Sequence, residues 1–571
     1  MNPGFPAIDG LVLDPSNPEF NNAAALVETL HPLIFLTGKA GTGKTTFLKY
    51  IRETCHRNTV VLAPTGVAAI NAGGMTLHSF FNLPLRPFIP EDPGLSDLRS
   101  KGGPDIFSTF RYRKQKLDLL RSMQLLVIDE VSMVRCDTLD VIDRVLRVFR
   151  NKKHLPFGGV QVVLIGDNFQ LPPAVGKEEK DILRQFYPSV HFFSARVIRE
   201  GAPVYIELKK IYRQKEQAFI DLLNRVRIGQ VSPQDLRILD TRLSPHFQPD
   251  REDYITLCTH NIQASQINAR HLEQLEGDIH AFEAVIKGEF PEKSRPTDEE
   301  LELKVGAQVM FVKNDPEYPR QFHNGKLGRI LAIEEERVRV QCEGGESFIV
   351  ERLRWENIRY TFRPETRRIE EEVVGTFEQL PLKLAWAITV HKSQGLTFER
   401  VIADLSQAFT AGQVYVALSR CTSLEGLVLL SRVSAPQIIV DQDALEYARR
   451  ETPETLILRH IQRGMADRLS RRALALARAG DFVAAWDAYL QASAHYGEPD
   501  HPLLRRFLKV FSARYKQREA WVQEVLTARK AAKKEKAGMQ KKSNAAAGQG
   551  KGKGRGRKPS KKQPGPGGAR E

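Results

Sequence analysis

Cysteine is scarce and scattered: five in 571 residues, with no two forming a C-x-x-C pair. A disulfide framework or a zinc finger is not expected from such usage, and the chain reads as reduced and intracellular. Long apolar runs are missing as well; nothing approaches the ~18–20 residues that a membrane span requires. The first 25 residues contain neither Lys nor Arg, so a secretory leader or an Arg-rich transit peptide is not expected. Most of the chain also lacks a strong charge of either sign. The formal net charge is +15, but the segment 529–571 holds 15 Lys or Arg against 2 Asp or Glu, which is +13 of that total. The remainder carries only about +2, so any anion-binding groove in the body must be a local patch.

What is present is ordinary globular material, 42% hydrophobic and 27% charged, in a chain too long for one core. Two to four domains are expected. Short Val/Ile/Leu-rich runs alternate with amphipathic helical stretches: 32–37, 60–63, 125–129 and 160–166, then 255–258, 401–405 and 427–430. Near-continuous apolar strands of this kind fit parallel sheets covered on both faces, here in two α/β domains. Between 301 and 378 the texture changes to alternation with turn signals such as Asn324-Gly325, which predicts a small β-barrel inserted into the second domain. From 452 to 528 the pattern is helical. Ala473, Leu476, Ala477, Gly480, Phe482, Ala485, Trp486 and Tyr489 resemble one tetratricopeptide-type hairpin, and a single copy cannot form a solenoid. The Gly/Lys/Pro/Ala-rich segment 529–571 has little to bury and is expected to be a disordered polyanion tether rather than a solubilising end.

Three strand ends carry chemistry. The run 32–37 leads into GKAGTGKT (38–45), the G-x-x-x-x-G-K-[ST] pattern in its strand–loop–helix context. Its backbone N–H groups, over Gly38, Ala40, Gly41, Thr42, Gly43 and on to Thr46, suit a nucleotide's phosphates. Lys44 is placed to reach the β- and γ-phosphates and the Thr45 hydroxyl to bind Mg²⁺. A second run ends in Asp129-Glu130: Asp129 would hold the metal's water shell and Glu130 would orient the attacking water. A third ends in Gly166-Asp167-Asn168-Phe169-Gln170 before Pro172-Pro173, and the Gln170 amide could sense the γ-phosphate. No Asn-Lys-x-Asp guanine motif occurs, since Asn151-Lys152-Lys153 is followed by His154, which argues against a GTPase.

In chain order the pieces are the P-loop, APTGVAA (63–69), IDEVS (128–132), GDNFQLPP (166–173), LKKIYRQ (208–214), HKSQGLT (391–397) and VYVALSR (414–420). This series resembles superfamily 1 helicases of the RecD-like branch. Phe157-Gly158-Gly159 and the stretch 324–328 are similar in particular to the Pif-type (petite integration frequency) DNA helicases. The resemblance spans roughly 17–431. It implies an α/β architecture of two RecA-like domains with ATP between them: 1–200, and 201–300 with 379–451. An SH3-like barrel insert is implied at 301–378, and a duplex-splitting wedge at 82–116. Arg213 and Arg420 would reach from the second domain to the γ-phosphate, although Arg is more often a solvated surface charge. Tyr212 would stack on adenine, and Gln394 and Gly395 would couple nucleotide to DNA. The family's adenine-reading Gln is missing; Asn21 or Asn22 stands where it is expected.

On the nucleic-acid side the resemblance assigns Thr65, Gly66, Thr76, His78, Ser79, His391, Lys392 and Thr397 to a groove across both domains, contacting phosphates. Phe80, with Phe81, is assigned as a base-stacking platform, against the competing reading of core packing. The implied activity is an ATP- and Mg²⁺-dependent, DNA-stimulated ATPase and 5′→3′ DNA helicase, hydrolysing ATP to unwind DNA in replication, recombination, repair or telomere maintenance. Implied partners are single-stranded and forked DNA, with RNA-containing hybrids left open, no membrane, and a monomer without DNA. The expected compartment is the cytoplasm and nucleoid of a bacterium or the nucleus of a eukaryote. A translocase that strips partners without processive unwinding is the alternative.

Overall fold

In the computed structural model, residues 16–547 are described, except 85, 99–103, 213–215, 250–253, 317–320, 323, 343–344, 364–367 and 497–500. They fall into two compact units that divide at Gly464. Six strands form the first sheet: β1 (Leu33–Gly38), β2 (Thr59–Ala63), β3 (Met75–Thr76), β4 (Leu125–Ile128), β5 (Gln161–Ile165) and β6 (Val204–Leu208). All pairings are parallel, in the order β3-β2-β4-β5-β1-β6. Every residue of β1, β4 and β5 is buried, as their unbroken apolar runs require of central strands. Three adjacent strands, β4, β5 and β1, therefore present their C-terminal ends side by side, where open α/β sheets bind ligands.

The boundary expected at residue 200 is corrected by β6, the edge strand of the first sheet. The next helix, Gln217–Arg227, packs Phe219, Leu222, Leu223 and Val226 into a second core. That core surrounds a four-stranded parallel sheet begun by β7 (Ile255–Cys258). Antiparallel strands then intervene: β8 (His280–Glu283), β9 (Val285–Gly288), β10 (Glu300–Leu303), β11 (Gln308–Phe311), β12 (Leu327–Ile333), β13 (Val338–Cys342), β14 (Ser347–Val350), β15 (Leu353–Arg363), β16 (Arg368–Gln379) and β17 (Leu382–Leu384). The second sheet resumes with β18 (Ala387–Thr389), β19 (Val401–Ala403) and β20 (Leu427–Leu429), in the order β18-β7-β19-β20.

The expected insert is present, but it is larger than 301–378. A five-stranded antiparallel sheet, β14-β13-β12-β11-β17, encloses its own apolar core. The long β15–β16 hairpin leaves that sheet and pairs with β9 instead, so the β-rich region runs from His280 to Leu384. Among its described residues the segment 82–116 holds only short helical pieces before Lys114, and it is anchored. Phe88, Leu95, Ile106 and Phe110 are buried in the first core, and the Phe88 N–H donates to Asp137 Oδ2 at 2.9 Å.

The second α/β part also ends sooner than residue 451. In the helix Gln442–Ala448, Ala444 and Tyr447 return to the first core, where the Tyr447 ring stacks on Phe193 at 4.4 Å. Thr452 then bonds β6 through both its hydroxyl and its N–H, to the Tyr205 backbone.

The helix Glu454–Ala479 begins in the first unit and runs on into the second, where its hairpin with Phe482–Tyr496 turns at Gly480, as predicted. Ala473, Ala477, Ala485 and Phe507 form its core. The third helix, Pro502–Ala547, corrects the expectation that disorder starts at 529. Residues 528–542 are Ala, Lys, Arg, Glu, Gln and Met interrupted only by Gly538, all but the glycine strong helix formers. The rest of the expected tail, 548–571, lies outside the described residues. Among the described residues no helix is long and apolar enough to cross a membrane.

Candidate nucleotide and nucleic-acid site

The turn after β1 reaches the helix Lys44–Thr54 through Gly43 at φ 95°, a left-handed conformation that a side chain would strain. Lys44, the first helical residue, folds its ammonium back onto the loop, donating to the carbonyls of Gly38 (2.6 Å) and Lys39 (3.0 Å). Thr45 and Thr46 are exposed in the same first turn.

Beyond β4, Asp129 Oδ1 accepts the Glu130 N–H at 2.9 Å, and Glu130 itself sits in the left-handed region at φ 49°. A non-glycine residue held there marks strain stored at a site. Burial and the neighbouring Glu130 charge push the Asp129 carboxyl up to about 7. Glu130 is raised too, chiefly by burial, against the opposing Lys44 and Arg420 charges. Asp129 and the exposed Thr45 hydroxyl are hard oxygen donors of the kind that suits Mg²⁺, so their chemistry fits the implied ion.

The second half closes over this edge. Gln394 Nε2 donates to Glu130 Oε2 at 2.9 Å and to Gln170 Oε1 at 3.2 Å, joining three sequence-predicted residues directly. Gly395 follows at φ 82° in the turn after β18. Arg420, 1% exposed, donates to the carbonyls of Val416, Ser393 and Leu396. Its charge acts on Glu130, and burial lowers its own pKa from the usual guanidinium value. It is therefore buried within electrostatic reach of Glu130, with its N–H groups turned to the carbonyls of its own half. Arg213 lies outside the described residues.

The neighbouring Tyr212 is half-exposed beside the P-loop, its N–H donating to the Gly41 carbonyl at 2.9 Å. The amide that meets its hydroxyl belongs to Asn17, whose Nδ2 donates at 3.2 Å, rather than to Asn21 or Asn22. Asn17 also caps the helix Pro18–Glu28, accepting from the Phe20 N–H at 3.0 Å. Sequence reasoning passed over Asn17 because an Asn before Pro-Glu reads first as a cap.

Two further residues were missed. Asp167 and Arg227 are both buried, and Arg227 Nη2 donates to Asp167 Oδ1 at 3.0 Å and its Nη1 to Glu207 Oε1 at 2.9 Å. Burial alone would raise the Asp167 pKa, but the Arg227 and Lys44 charges hold it below the usual carboxylate range. The only signal for Arg227 was a charge ending an apolar helical face, which a snorkelling surface residue also gives.

Of the predicted nucleic-acid residues, Thr65 and Thr76 spend their hydroxyls as helix caps, accepting from the Ala68 and Ser79 N–H groups, both at 3.2 Å. The β2–β3 register pairs Ala63 with Thr76, so Thr65, Gly66, Thr76, His78 and Ser79 cluster at one end of the sheet. Burial and the Arg135 charge lower the His78 pKa. His391 and Lys392 are exposed after β18, and Thr397 is half-buried with the Asn324-Gly325 turn against its carbonyl. Phe80 and Phe81 correct the stacking expectation. Both are 0% exposed in the first core, ring against ring at 4.8 Å, with Lys116 Nζ 3.4 Å over Phe80. They pack the floor of this region and offer no face to a base.

Known proteins resemble this chain in sequence and fold. The PIF1-like helicase family matches residues 20–237. The ATP-dependent DNA helicase Pif1 of Bdellovibrio bacteriovorus is 31% identical over 425 residues, covering 73% of this chain and 88% of that protein. The rat ATP-dependent DNA helicase PIF1 is 37% identical over 409 residues, 70% of this chain; the chain spans 58% of that relative's length. Among solved structures, Bacteroides sp Pif1 in complex with ADP-AlF4 aligns with TM-score 0.70 and 42% identity, over 77% of this chain and 97% of that one. Bacteroides Pif1 bound to ssDNA aligns with TM-score 0.54 and 42% identity. With its P-loop, its paired carboxylates and its Gln394 bridge in the positions described, the chain belongs to the PIF1-like helicase family.

Proposed function

We propose that this protein is an ATP-driven DNA helicase that moves 5′→3′ on a single strand and separates the duplex ahead of it. The observation carrying this reading is the Gln394 amide, which joins Glu130 and Gln170 on the first half to the turn that presents His391 and Lys392 on the second. In this reading a change at the nucleotide passes through Gln394 to a turn whose exposed His391 and Lys392 would hold phosphates.

Lys44, now bonded to its own loop, would turn to the β- and γ-phosphates, and Thr45 and Asp129 would hold Mg²⁺, which neutralises phosphate charge when bound. Glu130 would orient the attacking water as general base. Arg420 contributes cationic charge from the facing wall, joined in this reading by Arg213. Thr65, Thr76, Ser79, His391 and Lys392 would grip phosphates on the two halves, and closure of the seam would shift one grip relative to the other. Separating one base-pair step costs about 1.4 kcal/mol of stacking, well within the reach of one hydrolysis.

The test is displacement of a labelled strand from duplexes bearing a 5′ or a 3′ tail, with ATP turnover followed in parallel. Displacement of the 5′-tailed duplex alone supports the reading. Stimulated turnover with no displacement from either would make the protein a strand-remodelling translocase instead.

A further inference from the structure

The P-loop carries a contact that neither hydrolysis nor strand gripping accounts for. Tyr415 sits on the helix Gln413–Leu418 of the second half and is buried. Its hydroxyl accepts the N–H of Ala40, within the phosphate-binding loop, at 3.2 Å, and donates to Asp167 Oδ2 at 3.3 Å. Asp167 is fixed in turn by Arg227, whose Nε and Nη2 reach Oδ1 at 3.3 and 3.0 Å and whose guanidinium lies 4.3 Å over the Phe169 ring. Tyr415 and Arg227 both belong to the second half, while Ala40, Asp167 and Glu207 belong to the first. The helix carrying Tyr415 comes this close because Gly412, at φ 76°, lacks the Cβ that would meet the Phe169 carbonyl oxygen at 2.4 Å.

A neutral phenol is a weaker acceptor than a phosphate oxygen, and backbone N–H groups of such loops are what phosphates bind. We propose that Ala40, Tyr415, Asp167 and Arg227 form a buried latch in which the Tyr415 hydroxyl competes with the nucleotide's terminal phosphate for the P-loop. Arrival of the phosphate then frees one cross-seam hydrogen bond and leaves Tyr415 on Asp167 alone. Tyr415 and Arg227 are positioning residues in this scheme, and Arg227 acts only by holding Asp167. The inference rests on the ATP-binding part of the function proposed above.

The experiment titrates a fluorescent non-hydrolysable ATP analogue and ADP into wild-type protein, Tyr415→Phe and Arg227→Lys, without DNA. Losing one competing hydrogen bond, worth about 1 kcal/mol, should tighten binding of the triphosphate analogue by Tyr415→Phe about five-fold, and that of ADP by less. Arg227→Lys keeps the charge but not the fork, so it should tighten triphosphate binding at least two-fold and raise ATP turnover measured without DNA. A purely structural role would lower the unfolding temperature and leave the triphosphate-to-ADP ratio as in wild type. An unchanged ratio in folded Tyr415→Phe overturns the latch. Should Tyr415→Phe not fold, an unchanged ratio in Arg227→Lys overturns it equally. Failure of wild-type strand displacement would remove the helicase reading while leaving this titration intact.

Discussion

Glu130 and Gln394, 264 positions apart in the chain, meet at 2.9 Å where the two α/β halves face each other. The amide also holds Gln170, so one side chain of the second half restrains both polar ends of β4 and β5. Replacing Gln394 by Ala should leave nucleotide affinity within about two-fold and reduce the stimulation of ATP turnover by single strands at least ten-fold. Steady-state turnover with and without oligonucleotide measures both.

Lys44→Ala removes the ammonium that, in the proposed function, turns to the phosphates. ATP turnover should fall by about 10²–10³, the usual loss when a positioned charge is removed from a transition state. Binding of a labelled single strand, followed by anisotropy, should stay within a few-fold of wild type. Full residual turnover would refute the site assignment.

His31 is a pH-sensitive element of the first unit. Burial, then the His460 charge, lowers its pKa from 6.5 to about 4, and the two rings meet edge-on at 4.7 Å. The fold accepts the neutral ring, so its folded pKa lies below the unfolded value. The protein is fully stable with respect to this group above about pH 6.5 and loses on the order of 3 kcal/mol as pH falls toward 4. Urea unfolding midpoints of His31→Phe should depend less on pH across that window than those of wild type.

Gly412→Ala places a methyl against the Phe169 carbonyl oxygen at a backbone angle that L-residues resist. A cost of about 1–3 kcal/mol is expected from the angle alone. The unfolding temperature should drop by several degrees, whereas Gly176→Ala, with nothing within 4 Å of the added atom, should leave it unchanged.

Removing 529–571 discards 15 basic residues against 2 acidic ones. Single-strand affinity should fall, and the slope of log K against log[salt] should flatten by ~0.7 for each phosphate that the shortened chain no longer neutralises. Removing 548–571 alone, which spares the helix Pro502–Ala547, should give a smaller change in the same direction. Equal slopes for all three forms would leave the segment as a solubility device.

The P-loop, the two carboxylates and Gln170 were legible because each ends an apolar run, and a buried strand tells where its last polar residue must emerge. The sheet to which a strand belongs was not legible. The run 204–208 reads alike on the edge of either sheet, and only its register with β1 decides. Phe80 and Phe81 failed for a related reason: proximity to polar motif residues says nothing about which way a ring points, and both rings point into the core. Arg227 was hidden because its partners, Asp167 and Glu207, lie 60 and 20 positions away. The helical run through 529–547 was obscured by its charge, although its Ala and Lys content favours a helix.

The chain leaves the first core after β6 and returns to it at Ala444 and Tyr447, so the second half is tied on by two backbone crossings rather than one. A body tied at two points swings like a door about the line joining them, whereas a single tether would let it swivel freely. Each opening of the cleft must retrace the same arc. That restraint comes from the connectivity of the backbone alone, whatever the cleft holds.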